Sequence, residues 1–187
     1  MNFSINKTGF WEGNVINEHW HDPLLAIGLI SFFRSRGVST VLDLGCGAGD
    51  YCKTIVNNSM FCECYDGNPE TNIITDGLCN VYDLSTPMDL QKTFDVVMSL
   101  EVGEHIPVIY EKIFLDNITR HASTIIVLSW AIPGQGGQGH VNCQTNDYII
   151  SEIALRNYVF NKTESQILRN NVSLSWFKDT LMIFEKK

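Results

Sequence analysis

The stretch Val41-Leu-Asp-Leu-Gly-Cys-Gly-Ala-Gly-Asp-Tyr51 decides the fold class of this chain. The β-branched and apolar segment that begins at Val38 predicts a strand ending at Leu44. A glycine-rich turn follows it, and residues 50–58 are predicted to form a helix. A strand that enters a helix through a glycine turn is the unit from which α/β sheets are built.

The same pattern recurs along the chain, and it predicts a parallel sheet that is covered on both faces by helices. Further apolar strands are predicted at 61–65, 79–82, 94–100 and 124–130. Helices are predicted at 22–37, 107–122 and 145–160, and Asp22 and Thr145 are the expected N-caps of the first and the last. Two apolar runs around Lys178 and Asp179 predict a terminal hairpin that makes one edge of the sheet antiparallel.

Length and composition indicate one domain over residues 1–187, and the strand and helix pattern makes it α/β. Residues 1–37, which precede the first predicted strand, are expected to form an N-terminal cap segment and helix. Hydrophobic residues make up 44% and charged residues 18% of the chain, which argues against disorder. No apolar run has the length of a transmembrane helix, and no secretory signal precedes the first helix. We therefore expect a cytoplasmic protein with no membrane partner.

The charge of the chain bears on the class of its partner. The formal net charge is −8, from 21 acidic and 13 basic residues, and lysine and arginine form no cluster. Nucleic-acid binding normally requires a positive surface that displaces counterions from phosphates. The composition argues against a nucleic-acid partner and favours a small-molecule acceptor.

The six cysteines contain no C-x-x-C pair. Zinc sites and redox dithiols commonly show such a pair, so the sequence predicts free thiols in a reducing compartment. Cys62 and Cys64 lie two residues apart and are expected on the same face of their strand.

The glycine turn differs from a dinucleotide site. Gly45, Gly47 and Gly49 form G-x-G-x-G, whereas the dinucleotide fingerprint is G-x-G-x-x-G. Backbone N–H groups near Gly45 and Gly47 can reach a carboxylate, and a Cβ there is expected to collide with the ligand. Asp66 ends the second strand, where it can accept hydrogen bonds from ribose hydroxyls of several nucleoside cofactors.

A second group of reactive side chains follows the fourth predicted strand. Glu101, Glu104 and His105 stand at positions i, i+3 and i+4, and one helical turn over 101–105 would place them on one face. Pro107 should end that turn at the residue before it. Two carboxylates beside an imidazole repel each other unless a cation joins them, so we predict a divalent metal site with His140, after the fifth strand, as fourth ligand.

The motif D-L-G-C-G-x-G, with an aspartate after each of the next two strands, resembles the class I S-adenosylmethionine (SAM)-dependent methyltransferases. The similarity covers nearly the whole chain and implies a Rossmann-like fold with a seven-stranded, mostly parallel sheet and an antiparallel C-terminal hairpin strand. It implies that Asp43, Gly45 and Gly47 lie at the methionine part of SAM. By the same resemblance Asp66 holds the ribose, and Asp83 meets the adenine amino group with Leu84 beside the ring.

The E-x-x-E-H motif followed by a later histidine resembles the metal-dependent O-methyltransferases, notably those of ubiquinone biosynthesis and of small-RNA 2′-O-methylation. The resemblance implies that Glu101, Glu104, His105 and His140 hold Mg²⁺ or another divalent cation. In that family the cation binds the acceptor oxygen, lowers its pKa and holds it in line with the methyl group. Glu104, His105 and His140 are therefore the candidate catalytic residues.

Three other functions stay open at this point. In a metal-free N-methyltransferase the acids would attract an amine, and Glu104 or a histidine would act as general base. An RNA 2′-O-methyltransferase predicts a basic groove. A non-catalytic SAM-binding regulatory subunit would keep Asp66 and Asp83 without four convergent ligands, and a partner subunit is compatible with each of these functions.

Two further segments are candidates for the acceptor pocket. His19 and His21 either line that pocket or flank the Asp22 helix cap at the surface. The glycine-rich loop 134–139 can flex over the site.

Overall fold

The computed structural model describes residues 3–187. The helices are α1 (Pro23–Ser35), α2 (Asp50–Asn57), α3 (Thr71–Ile74), α4 (Glu111–His121), α5 (Asn146–Ala154), α6 (Lys162–Arg169) and α7 (Phe177–Thr180). The strands are β1 (Ser4–Ile5), β2 (Trp11–Glu12), β3 (Thr40–Leu44), β4 (Phe61–Asp66), β5 (Asn80–Val81), β6 (Phe94–Leu100), β7 (Ala122–Ser129), β8 (Tyr158–Phe160) and β9 (Met182–Lys186).

The main sheet has seven strands in the order β5-β4-β3-β6-β7-β9-β8. Strands β3 to β7 pair in parallel, whereas β9 is antiparallel to both of its neighbours. The predicted fold class, a mostly parallel sheet with an antiparallel C-terminal pair, is confirmed. The chain runs outward from β3 to β5 and then returns to β6 on the other side of β3, so a crevice opens at the carboxyl ends of β3 and β6.

Alternate residues of the central strands feed two separate cores. Val96 packs in the core on the side of α1 and α2, while Val97 packs in the core on the side of α4 and α5. This alternation follows from the strand period of two residues. The near-continuous apolar runs in the sequence are explained by burial on both faces.

The two predicted N-caps are confirmed. Asp22 Oδ1 accepts hydrogen bonds from the N–H groups of Leu24 and Leu25, each at 3.0 Å, and Pro23 is the first residue of α1. Thr145 Oγ1 accepts the N–H of Tyr148 at 3.2 Å and begins α5. None of the helices within residues 3–187 is long and apolar enough to cross a membrane.

The segment predictions near the C-terminus were wrong in two places. The helix predicted to reach Phe160 stops at Ala154, because Asn157 takes a positive φ of 68° and Tyr158–Phe160 instead pairs with β9 as β8. The predicted first arm of the terminal hairpin forms no strand, since α7 occupies Phe177–Thr180 and β8 takes that place in the sheet. Tyr158 is 1% exposed and its hydroxyl donates to the Ala122 carbonyl at 2.6 Å, which fixes β8 against the core.

Candidate cofactor and metal site

The glycine turn after β3 is held by the end of β4. The N–H groups of Gly45 and Cys46 donate to the Tyr65 carbonyl at 2.7 and 3.1 Å. The N–H of Gly47 donates to Asp66 Oδ2 at 2.9 Å. These N–H groups, which the sequence suggested for a ligand carboxylate, therefore bind the protein itself, and they fix Asp66 beside the turn.

Gly47 has a local structural role in addition to the predicted contact with a ligand. Its φ is +53°, a backbone conformation that residues with a side chain rarely adopt. A Cβ at this position would lie 2.8 Å from the ring of His19. The turn is therefore packed closely under the N-terminal segment.

The remaining residues proposed for the cofactor lie along the same edge of the sheet. Asp83 accepts the N–H of Ser85 at 3.0 Å and the hydroxyl of Thr8 at 3.1 Å, and Leu84 beside it is buried. Asp43 is 3% exposed; burial, and then the nearby Cys64, raise its pKa well above the usual range. Burial therefore favours the protonated form of Asp43 over a wider pH range than in an exposed aspartate.

The predicted helical turn over 101–105 was wrong in its first residues. Glu101 takes a positive φ of 55° directly after β6, and its N–H donates to the Ser129 hydroxyl at 2.9 Å. The turn that follows is a 3-10 turn over Gly103–His105, and Ile106 is extended, as Pro107 predicts. A residue with a side chain seldom adopts such a φ, so Glu101 is held in a strained position at the edge of the site.

Three of the four predicted metal ligands come together. One ligand atom from each of Glu104, His105 and His140 lies within 4.8 Å of the other two. The backbone causes this meeting, because the Glu104 carbonyl accepts the N–H groups of Val141 and Asn142, each at 2.9 Å. The loop after β7 is thereby tied to the turn after β6.

Glu101 does not belong to this group. Its carboxylate accepts hydrogen bonds from Gln135 Nε2 at 2.6 Å and from the Thr180 hydroxyl at 3.1 Å. It lies near enough to Glu104 to affect the pKa of that residue. Glu101 is therefore placed beside the group.

The three grouped side chains are electrostatically incomplete. Glu104 is 0% exposed, and its two carboxylate oxygens and His105 Nδ1 have no hydrogen-bond partner within residues 3–187. Burial, and then the negative charge of Glu101, raise the pKa of Glu104 well above its usual range. Burial, and then the imidazole of His140, lower the pKa of His105 to about 4. A buried carboxylate whose oxygens lack hydrogen bonds, with His140 Nε2 3.9 Å from Oε1 and His105 beside it, fits a divalent cation that these groups would hold.

A cavity of about 470 Å³ joins the glycine turn to this group. The predicted cofactor residues all line it, as do Glu101, His105 and His140, whereas Glu104 lies behind its wall. Six carboxylic acids line the cavity, at Glu18, Asp43, Asp50, Asp66, Asp83 and Glu101. No lysine or arginine of the described chain is among the lining residues.

No family model matches the chain, and no curated protein is similar to it in sequence. Solved structures are similar in fold. Magnesium protoporphyrin IX methyltransferase (ChlM) from Synechocystis, with bound SAH, has a TM-score of 0.68 at 12% identity over 87% of this chain and 82% of its own. The sugar N-methyltransferase KedS8 from a Streptoalloteichus species has a TM-score of 0.69 at 13% identity over 88% of this chain and 87% of its own. The methyltransferase domain of the bacterial CtHen1-CN has a TM-score of 0.62 at 12% identity over 92% of this chain and 100% of its own.

The chain has the Rossmann-like methyltransferase fold. These identities, of 12–13%, show the fold alone. In this methyltransferase fold the crevice beside β3 contains the glycine turn, Asp66 and Asp83 on one side and His105 and His140 on the other.

The sequence analysis predicted an N-terminal cap segment but did not single out Gly9 and Trp11, which contact His105. Trp11 stacks on His19, with ring centroids 5.3 Å apart, and meets the ring of His105 edge to face at 5.6 Å. A Cβ on Gly9 would lie 2.2 Å from the His105 carbonyl oxygen. The cluster of aromatic residues and glycines in GFWEG was the signal in the sequence, and the segment covers the cavity.

His19 and His21 both line the cavity, so the pocket alternative describes their position better than the surface alternative. Burial is the main cause that lowers the pKa of His19. His21 packs against Tyr51 with ring centroids 4.8 Å apart, and Asp22 next to it caps α1.

Proposed function

We propose that this protein transfers a methyl group from SAM to a small-molecule acceptor. The observation that carries the proposal is one cavity that joins the turn–Asp66–Asp83 edge to the Glu104–His105–His140 group. Similar folds solved with bound SAH and SAM support this cofactor. In parallel α/β sheets ligands bind at the carboxyl ends of the strands, where both parts of the cavity lie.

The side chains divide the cavity into a donor end and an acceptor end. We assign the donor end to Asp66, Asp83 and Leu84, where carboxylates accept from ribose and adenine and a buried leucine packs against the base. SAM, when bound, supplies an electrophilic methyl group on its sulfonium. The protein brings an acceptor into line with that group and excludes water, for which the aromatic N-terminal segment over His105 is well placed.

At the acceptor end, we propose that Glu104, His105 and His140 hold a divalent cation such as Mg²⁺ or Mn²⁺. A cation at this position, when bound, polarises an acceptor oxygen. His105 is neutral above about pH 4 because burial lowers its pKa, so its nitrogen is free to act as a ligand at neutral pH. Glu101 keeps Gln135 and Thr180 in place around the group.

The lining of the cavity restricts the acceptor. Six acids and no lysine or arginine of the described chain face it, so a phosphate or carboxylate near the site would meet repulsion. We infer a neutral or cationic acceptor, such as a catechol or another vicinal diol. The same lining disfavours an RNA acceptor, although a small-RNA methyltransferase is among the similar folds.

A metal-free N-methyltransferase is the second candidate. The observation that favours it is the same acidic lining, which attracts a protonated amine, and a sugar N-methyltransferase shares the fold. The two candidates differ in whether turnover needs a cation and in whether the acceptor atom is oxygen or nitrogen.

Calorimetric titration of S-adenosylhomocysteine tests the cofactor. The wild type should bind it, and Asp66→Asn should bind at least about tenfold more weakly, because ribose hydroxyls lose a charged acceptor. Asp76→Asn is the matched control, since Asp76 is exposed and outside the cavity. Absence of binding by the wild type would contradict the proposed function.

Methyl transfer to matched catechol and amine acceptors, with Mn²⁺ or with a chelator, then separates the two candidates. The metal-dependent proposal expects catechol turnover that the chelator abolishes. Amine turnover that the chelator leaves unchanged would overturn it in favour of N-methylation.

A further inference from the structure

A cluster of buried sulfur atoms lies directly under the glycine turn. The Sγ atoms of Cys46, Cys64 and Cys79 all lie within 4.8 Å of one another, and the three residues are at most 9% exposed. Cys52 on α2 adds a fourth sulfur, 3.0 Å from that of Cys64. The four residues come from the turn, α2, β4 and the segment before β5, so no short sequence motif indicates the cluster.

These thiols interact mainly with one another. The hydrogen bond of Cys64 outside the cluster goes to the Leu78 carbonyl at 3.6 Å, and that of Cys52 goes to the Cys62 carbonyl at 3.9 Å. The contact between the two sulfur atoms, at 3.0 Å, is shorter than either of these bonds.

We propose that Cys46, Cys64 and Cys79, with Cys52 as fourth donor, form a binding site for a thiophilic d¹⁰ cation, with Zn²⁺ as the expected ion. Zn–S bonds of about 2.3 Å in a tetrahedron place sulfurs ~3.8 Å apart, and the sulfurs of Cys46, Cys64 and Cys79 already lie within 4.8 Å of one another. The side chain of Cys52, whose sulfur is close to that of Cys64, would shift to complete the tetrahedron. Soft thiolates select such a cation over Mg²⁺ or Mn²⁺, which prefer oxygen and imidazole ligands. The site is therefore chemically different from the Glu104–His105–His140 group.

The position of the cluster suggests what the cation would do. Cys46 belongs to the turn itself, between Gly45 and Gly47, which line the cofactor cavity. Cys79 Sγ would lie 3.1 Å from a Cβ on Gly49, so it contacts the other end of the turn. A cation bound here would fix the turn to β4 from below and would stabilise the folded state by the free energy of its binding.

Titration of Cd²⁺ into chelator-stripped protein, under reductant and without oxygen, tests the site. Thiolate-to-cadmium charge transfer gives an ultraviolet band that oxygen and imidazole ligands do not give. The proposal expects a saturable band at about one equivalent and a higher melting temperature with Cd²⁺ or with Zn²⁺. A wild type without the band would overturn the proposal, as would a melting temperature that neither ion raises.

Two variants locate the sulfur ligands. Cys64→Ser should abolish the band, and Cys143→Ser should retain it because Cys143 lies outside the cluster, 3.9 Å from His140 Nδ1. A band that Cys64→Ser retains and Cys143→Ser loses would place the Cd²⁺ ion near His140 and refute the proposal. Should Cys64→Ser fail to fold, Cys46→Ser and Cys79→Ser take its place in the titration. Each is expected to lose the band, and a band retained by both would contradict the site.

The titration also distinguishes the cation site from a cluster that has been oxidised to a disulfide. The 3.0 Å approach of Cys52 and Cys64 also suits a disulfide, which peroxide would form with release of water. A fully reduced protein, with six alkylatable thiols, that binds no Cd²⁺ would exclude the cation site. These readouts do not depend on methyl transfer, so they test the cation site independently of the proposed function.

Discussion

The imidazole rings of His105 and His140 lie edge to face, with their centroids 4.9 Å apart. They meet because the Glu104 carbonyl accepts two N–H groups from the loop that contains His140. Backbone hydrogen bonds between two segments far apart in sequence thus bring His140 to Glu104 and His105, the residues proposed to bind a cation with it.

The two glutamates of the E-x-x-E-H motif should contribute unequally to cation binding. Glu104→Gln should weaken Mn²⁺ binding at least about tenfold, because it removes the charge inside the ligand group. Glu101→Gln should have a smaller effect, since that carboxylate is already held by Gln135 and Thr180. Calorimetric titration of Mn²⁺ into protein loaded with S-adenosylhomocysteine measures both, and equal losses would show that Glu101 is a direct ligand.

In the absence of cation, Glu104→Gln should stabilise the protein. The folded-state pKa of Glu104 lies above its ordinary value of 4.5, so the folded state binds more protons and wild-type stability falls as the pH rises above that value. The variant lacks this loss, so its free energy of unfolding near neutral pH should exceed that of the wild type by about 1–3 kcal/mol. Urea unfolding in the presence of a chelator measures the difference.

Glu111 gives the matched control for that measurement. It is 2% exposed like Glu104, but its carboxylate accepts hydrogen bonds from the Tyr148 hydroxyl at 2.5 Å and from Asn142 at 2.8 Å. Glu111→Gln should therefore destabilise the protein. A change of the same sign in the free energy of unfolding of both variants would contradict the proposed difference between an unpaired Glu104 and a hydrogen-bonded Glu111.

Asp22 joins the start of α1 to the segment after α6. Besides capping α1, its carboxylate accepts the N–H groups of Ser173 and Leu174, each at 2.7 Å. Asp22→Ala should cost at least ~2 kcal/mol in chemical unfolding, more than the ~1 kcal/mol of an ordinary cap. Thr145→Ala, which removes a single capping bond, is the comparison, and an equal cost would refute the added role.

The pH dependence of Asp22 follows from its pKa. Burial raises the pKa, but hydrogen bonds from the backbone at Leu174 and Leu25 outweigh burial, and the net pKa lies below 3.8. The stabilisation is therefore present above that value and lost as the pH falls through the folded-state pKa. Wild-type protein should lose stability in acid more steeply than Asp22→Asn, and parallel unfolding curves would contradict this.

Gly47→Ala should weaken both the fold and cofactor binding. The positive φ strains any side chain, and the new methyl group would lie 2.8 Å from His19. We expect a loss of at least ~1 kcal/mol in stability. Gly136→Ala, in an exposed loop where a Cβ meets nothing within 4 Å, should change stability by less than ~0.5 kcal/mol. Thermal unfolding compares the two, and a stable Gly47→Ala would show that the turn can relax.

The sequence by itself determined those features that local chemistry decides. Apolar strands without alternation predicted the doubly covered sheet, because both faces are buried. Asp22 before Pro23 predicted the start of α1, and Pro107 predicted the end of the turn after β6, because each acts on the backbone beside it. The motif around Gly45 and Asp66 predicted that the cavity lies at the carboxyl end of β3.

Only the tertiary structure decided which distant groups meet. The strand β8 is three residues long and exists because β9 pairs with it, so no local pattern separated it from the end of a helix. Glu101 lies outside the predicted helical turn because its φ is positive, and the hydroxyl of Ser129 on the neighbouring strand accepts its N–H. The N-terminal segment over His105 and the sulfur cluster under the turn likewise join residues far apart in the chain, and long-range packing places them without a periodic signal in the sequence.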